Sequence, residues 1–153
     1  MQKVAVVTGA AHGLGKAIVL SLVREGYTIV VHYLKSKSDA AKVLKSVCEK
    51  SAGSIMVSAN LKNERDVEVM FGQIFKKYKR IDLLVNNVGN FVFKKFSDTI
   101  NAEFKDVIES NIYSTLFTSR AVLPLMRKQK SGQIINIGAV GAERITLRER
   151  VIP

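Results

Sequence analysis

A doubly wound parallel sheet of the α/β class is what the sequence predicts, and three observations predict it. β-rich runs and helical periodicities alternate four times over, joined by short loops, which is the order of βαβ units. The leading run of Val4, Ala5, Val6 and Val7 is continuously apolar, as suits a strand buried on both faces of a parallel sheet. Between that run and the helix after it stand Gly9, Gly13 and Gly15, a G-x3-G-x-G turn in a strand-turn-helix setting. Glycine adopts backbone angles closed to other residues and lets a ligand approach the main chain. The free amides and positive dipole end of the following helix then make an anion site. The spacing differs from the common G-x-G-x-x-G form of a dinucleotide-binding turn.

Taken in order, the first strand ends at Thr8 and Gly9. Leu14, Ala17, Ile18, Ser21 and Leu22 then recur at helical spacing, with Lys16, Arg24 and Glu25 on the solvent side and Gly26 as the stop. Thr28–Tyr33 (TIVVHY) is a second strand. A helix over 38–51 follows, with Asp39 in its first turn and Gly53 as its stop, and then a third strand over 54–59. Asn63 and Glu64 open a helix that lasts to about Tyr78. The fourth strand, 81–85, runs into Asn86, Asn87, Val88 and Gly89. A long helix over 101–130 contains Pro124, which predicts a bend or break near Leu123. A fifth strand covers 134–138, and residues 142–153 read as a charged, aperiodic loop. Ligands of such sheets lie at the carboxyl ends of the strands, where Gly9, Tyr33, Asn60 and Asn87 all fall.

The chain of 153 residues is one domain by length, 1–153, with 47% hydrophobic and 24% charged residues, ordinary values for a globular protein. No apolar run approaches the ~20 residues of a membrane helix, and the start does not read as a signal peptide, so the expected address is the cytoplasm, with no membrane partner. Cys48 is the single cysteine, which rules out an internal disulfide and a cysteine-based metal site. The net charge of +11 is spread over clusters such as Lys76, Lys77, Lys79 and Arg80, mostly at expected helix ends. A basic nucleic-acid module is an alternative, but no helix-turn-helix, zinc finger or aromatic-and-basic sheet motif supports it, and no nucleic acid is expected as a partner.

A dinucleotide fold carries a ribose-binding acid ~20 residues beyond its glycines, and here that region reads His32, Tyr33, Leu34, Lys35, Ser36, Lys37. Basic and hydroxyl groups suit a 2′-phosphate, so NADP(H) is favoured over NAD, with His12 as a further donor. The alternative is that Lys35, Lys37 and His12 are plain loop residues.

Thr8-Gly9-Ala10-Ala11-His12-Gly13-Leu14-Gly15 is similar to the TGxxxGxG element of the short-chain dehydrogenase/reductase family. Asn86-Asn87-Val88-Gly89 resembles its NNAG element with valine for alanine, Asn111 matches its helical asparagine, and Ile134-Ile135-Asn136-Ile137-Gly138 resembles the strand before its catalytic serine. The match is collinear over essentially the whole chain, and in general look the chain is similar to 3-oxoacyl carrier-protein reductases and related ketoreductases. The resemblance implies a Rossmann fold in which Gly9, His12, Gly13, Leu14 and Gly15 cradle the cofactor phosphates and Tyr33 and Lys35 lie at the adenosine end. It implies that Asn60 and Leu61 flank the adenine, that Asn87 and Gly89 approach the ribose, and that Ile112 lies against the cofactor. It also implies hydride transfer with a small-molecule carbonyl or alcohol substrate, a proton path through Asn111, and a homodimer or homotetramer.

Besides Val88, the chain departs from the family at three points. Asn60 stands where aspartate is usual, and Ala139 occupies the serine position, where losing a polarising contact costs roughly a hundred- to thousandfold in rate unless Thr146 compensates. The family's Tyr-x3-Lys spacing, counted from Ala139, reaches the last residues, Ile152 and Pro153, so the expectation is a chain truncated before that helix and inactive alone. Of the four tyrosines only Tyr33 has a lysine four residues on, Lys37, and it sits on the adenosine side. A catalytically silent NADP-binding protein is therefore an alternative. Phe91, Phe93 and Phe96 either line an acyl or ring pocket or fill the core.

Overall fold

Val4, Ala5, Val6 and Val7 have no polar side-chain atom to hydrate, and all four are buried, forming β1 (Val4–Val7) at the centre of the sheet. In the computed structural model, which describes residues 2–138, similar burial marks β2 (Thr28–Tyr33) and β4 (Leu83–Asn86), while β3 (Ile55–Ser58) and β5 (Gln133–Asn136), at the two ends of the strand order, are less covered. The five strands are parallel, in the order β3-β2-β1-β4-β5. Val6 pairs in register with Val30 on one side and Leu84 on the other. The order reverses at β1, so the connection from β3 must cross to β4, and a crevice opens at the carboxyl ends on either side of that point.

Between the strands run α1 (Gly13–Arg24), α2 (Lys37–Cys48), α3 (Glu64–Tyr78), α4 (Asn101–Ile108) and α5 (Ser114–Gln129). Side chains alternate across each strand, which divides the core into two clusters. Ala5, Val7, Ile29, Val31 and Val85 face Val19, Val23, Ala40, Val43 and Val47 of α1 and α2. Val4, Val6, Val30 and Leu84 face Val67, Met70, Phe71 and Ile74 of α3 and Val122 and Met126 of α5. At the amino end of the sheet Arg80 grips Asp82 through two hydrogen bonds of 2.8 and 2.6 Å, and Asp82 accepts the amide of Val4.

Two expectations are corrected here. The helix over 101–130 is not continuous, and its interruption is not at Pro124. A π-helical turn, Glu109–Tyr113, separates α4 from α5, while Pro124 lies inside α5. Ser110 and Asn111 explain the first: the Ser110 hydroxyl donates to Asp106 O at 2.6 Å and Asn111 Nδ2 donates to Val107 O at 2.8 Å. Side chains that satisfy the carbonyls of the preceding turn let the backbone widen by one residue. Val122 and Met126, buried on either side of Pro124, hold the helix against the sheet through the missing amide. Phe91 and Phe93 fill no core, since they are 77% and 85% exposed. The expected loop over 142–153 lies outside the described residues, as does Ala139.

Candidate functional site

The carboxyl ends of β1, β2, β3 and β4 converge on a cavity of about 370 Å³. Its floor is the corner between β1 and α1. Gly9 and Gly13 there have φ of +60° and +53°, values that favour glycine. A Cβ on Gly15 would meet Gly9 O at 2.3 Å and Asn87 Nδ2 at 2.7 Å, so Gly15 is fixed by close packing of the turn on its own helix. Gly13 faces open space. No side chain caps α1 and no acid stands in its first turn, whereas α2 has Asp39 and α3 has Glu64 and Asp66 there. The positive end of α1 is thus left for a ligand.

Thr8 and Asn87 lock the corner to β4. The Thr8 hydroxyl accepts from the amides of Asn87 at 2.8 Å and Val88 at 3.0 Å, and Asn87 Nδ2 donates to Thr8 O and Gly9 O. His32 locks it to β2 and β3. Its ring is 2% exposed, Nδ1 accepts from Gly9 N at 3.1 Å, and Nε2 donates to Ala59 O at 3.0 Å, which assigns the neutral Nε2–H tautomer. Burial pushes the His32 imidazole down to about 4, against a smaller upward pull from Ala59 O. Asn86 extends the frame to β5: it donates to Asn136 Oδ1 at 2.9 Å and accepts from Thr118 at 2.8 Å.

Most of the residues expected at the site are brought together. Gly9, His12, Gly13, Leu14, Gly15, Tyr33, Lys35, Asn60, Leu61, Asn87 and Gly89 all line the cavity. Asn111 stands behind Gly89, where a Cβ would come within 2.6 Å of its Oδ1, and its Nδ2 donates to Asn90 O at 2.7 Å. Ile112 is 56% exposed and outside the lining. Asn60 N is held by Asp66 Oδ2 at 3.4 Å. Sequence reading missed Thr8 as a clamp, His32, Lys62, Ser110 and Ser114, which also belong to the frame or lining. A histidine inside an apolar strand run was a visible signal for His32. Lys62 carried none, because its partner Asp106 is remote in sequence.

Among the described residues, the lining contains His12, Lys35, Ser36 and Lys62 and neither Asp nor Glu. No group of three metal-ligating side chains occurs among the described residues, and none of their helices is long and apolar enough to cross a membrane.

Compared with known proteins, residues 3–147 match the short chain dehydrogenase family. The chain belongs to that family. A 3-oxoacyl-(acyl-carrier-protein) reductase FabG of Staphylococcus aureus is 34% identical over 145 residues, 92% of this chain and 59% of the relative. A 3-oxoacyl-(acyl-carrier-protein) reductase of Synechocystis is 37% identical over 138 residues, 90% of this chain and 56% of the relative. The chain therefore spans a little over half the length of these short-chain dehydrogenase relatives. A metagenomic short-chain oxidoreductase solved in complex with NADP superposes with a TM-score of 0.83 at 28% identity, covering 90% of this chain and 62% of that one. A short-chain dehydrogenase/reductase structure from Burkholderia xenovorans, at 22% identity and a TM-score of 0.87 over 95% of this chain and 62% of that one, matches in fold.

Proposed function

We propose that this short-chain dehydrogenase chain is the nucleotide-binding part of an NADP(H)-dependent reductase acting on a small carbonyl or alcohol substrate. The observation that carries the reading is the cavity whose lining, among the described residues, is basic and hydroxylic at the end of β2 and free of carboxylates. A 2′-phosphate is a dianion near neutral pH, so Lys35, Ser36 and His12 would attract it where an acid would repel it. The uncapped start of α1 and the open space at Gly13 fit a pyrophosphate.

The bound nicotinamide would supply a hydride for the carbonyl carbon. Within the chain, Gly9 to Gly15 hold the phosphates, Leu61 and Asn60 border the adenine, and His32 and Thr8 keep the corner in shape. Asn111, fixed by Asn90 O and Val107 O, presents its Oδ1 behind Gly89 as an acceptor for a water in a proton path. Ala139 stands at the family's serine position and gives the substrate oxygen no donor. That residue favours a second reading, a silent NADP-binding protein, in which NADPH binds saturably and no ketone is reduced. The relatives' names make a 3-oxoacyl thioester the first substrate to assay. A cytoplasmic homodimer or homotetramer completes the proposal.

Titration of the chain with NADPH and NADH, followed by nicotinamide fluorescence, tests the reading. Expected is a tighter complex with NADPH by about tenfold or more, as for one good charge-assisted contact. Equal affinities, or no binding of either, would overturn it.

A further inference from the structure

Lys62 and Asp106 lie on separate elements, the loop after β3 and α4, yet their side chains form an ion pair at the edge of the cavity. Asn90 Nδ2 donates to the second carboxylate oxygen at 2.6 Å. Lys62 and Lys35 both line the cavity. The hydrogen bond from Lys62, then that from Asn90, outweigh desolvation and hold the Asp106 carboxyl below the usual carboxylate range, with smaller help from the charges of Lys62 and Lys35. Its side chain is 45% exposed, and an ion pair so open to solvent contributes little to folding. The carboxylate is reachable and exchangeable.

We propose that Asp106 is a specificity-determining residue of the nucleotide pocket: its carboxylate is the standing counter-ion of Lys62, and a ribose 2′-phosphate engages that lysine only by displacing it. The inference rests on the NADP(H) reading above and deepens it. A phosphate brings more charge than the carboxylate it displaces, so the exchange runs toward the nucleotide, but the displaced aspartate remains close and repels it. A nucleotide without the 2′-phosphate does not enter this competition. Asp106 therefore narrows the preference for the phosphorylated cofactor that Lys35 and Lys62 create. No acid after β2 performs this role here, since that stretch reads Tyr33, Leu34, Lys35, Ser36.

The test is the NADPH and NADH titration of the 153-residue chain and of two variants, Asp106→Asn and Lys62→Ala, with thermal melts alongside. The neutral amide keeps the partner of Asn90 and removes the competing charge. Asp106→Asn is expected to tighten NADPH on the order of three- to tenfold and to leave NADH within about twofold. Lys62→Ala is expected to weaken NADPH alone. If Asp106→Asn weakens NADPH, leaves it unchanged, or moves both nucleotides together, the inference fails while the pocket reading stands. If the unaltered chain binds neither nucleotide, the pocket reading fails and takes the inference with it.

Discussion

His32 shows how one side chain can hold three strand ends in place. It accepts from Gly9 N, donates to Ala59 O, and its own carbonyl accepts from Ala10 N at 2.9 Å. Protonation would turn Nδ1 from acceptor to donor, facing an amide that also donates. Because the folded imidazole titrates at about 4 and the unfolded one near 6.5, the unfolded chain binds the extra proton first as pH falls. The His32 contribution to stability is therefore constant above about pH 6.5, declines as pH drops from there toward 4, and levels off below. The full loss is about 3 kcal/mol at ~1.4 kcal/mol per unit. Urea melts at pH 7, 5.5 and 4.5 on the native chain and on His32→Asn measure it; the variant should lose most of this slope, and an unchanged slope would assign the acid sensitivity elsewhere. At this scale the sequence was half legible. Gly9, Gly13 and Gly15 were readable because a turn is local, and Asn87 and Gly89 only through the resemblance to the family's NNAG element. Thr8 and Lys62 were not, because their partners lie on other elements.

Among the elements, the β1–α1 corner and the α4–α5 junction differ in how openly they are written. The corner was legible since strand, turn and helix follow one another within a few residues. Its glycines are nonetheless unequal. Gly15→Ala would drive a methyl into Gly9 O, a backbone atom that cannot give way without moving the turn. Gly13→Ala meets nothing and costs only the left-handed backbone, about 1 kcal/mol. Thermal melts should show Gly15→Ala melting well below Gly13→Ala, and nucleotide titration should show both losing NADPH affinity, Gly13→Ala because its methyl takes the space proposed for the pyrophosphate. Equal melting would mean that packing at Gly15 does not shape the site. The α4–α5 junction was misread because proline is the loudest helix-breaking signal in a sequence, while a π turn needs only one extra residue. Ser110, Asn111 and Ser114, each bonded back to the preceding turn, are the quieter signature. The widened turn falls at Asn111, the asparagine that the family resemblance singles out.

The whole molecule was the most legible level. Continuous apolar runs are possible only where both faces of a strand are covered, so alternation of such runs with helices predicted the parallel sheet before any pairing was known. The exposed apolar side chains were less predictable. Phe91, Phe93, Ile100, Phe104, Ile112, Tyr113, Leu116, Leu123, Ile135 and Ile137 all lie after residue 90, against Leu14, Leu34 and Val69 before it. The sheet has a further property. Its two clusters share no side chain, and only the strand backbones lie between them. Damage done above that partition should therefore stay above it. Val19→Ala and Ile74→Val, placed on opposite faces, should lower stability by amounts that sum to the double variant within about 0.5 kcal/mol. A larger discrepancy in denaturant melts would show that the strands bend to share the load, and that this protein has one interior where its side chains draw two.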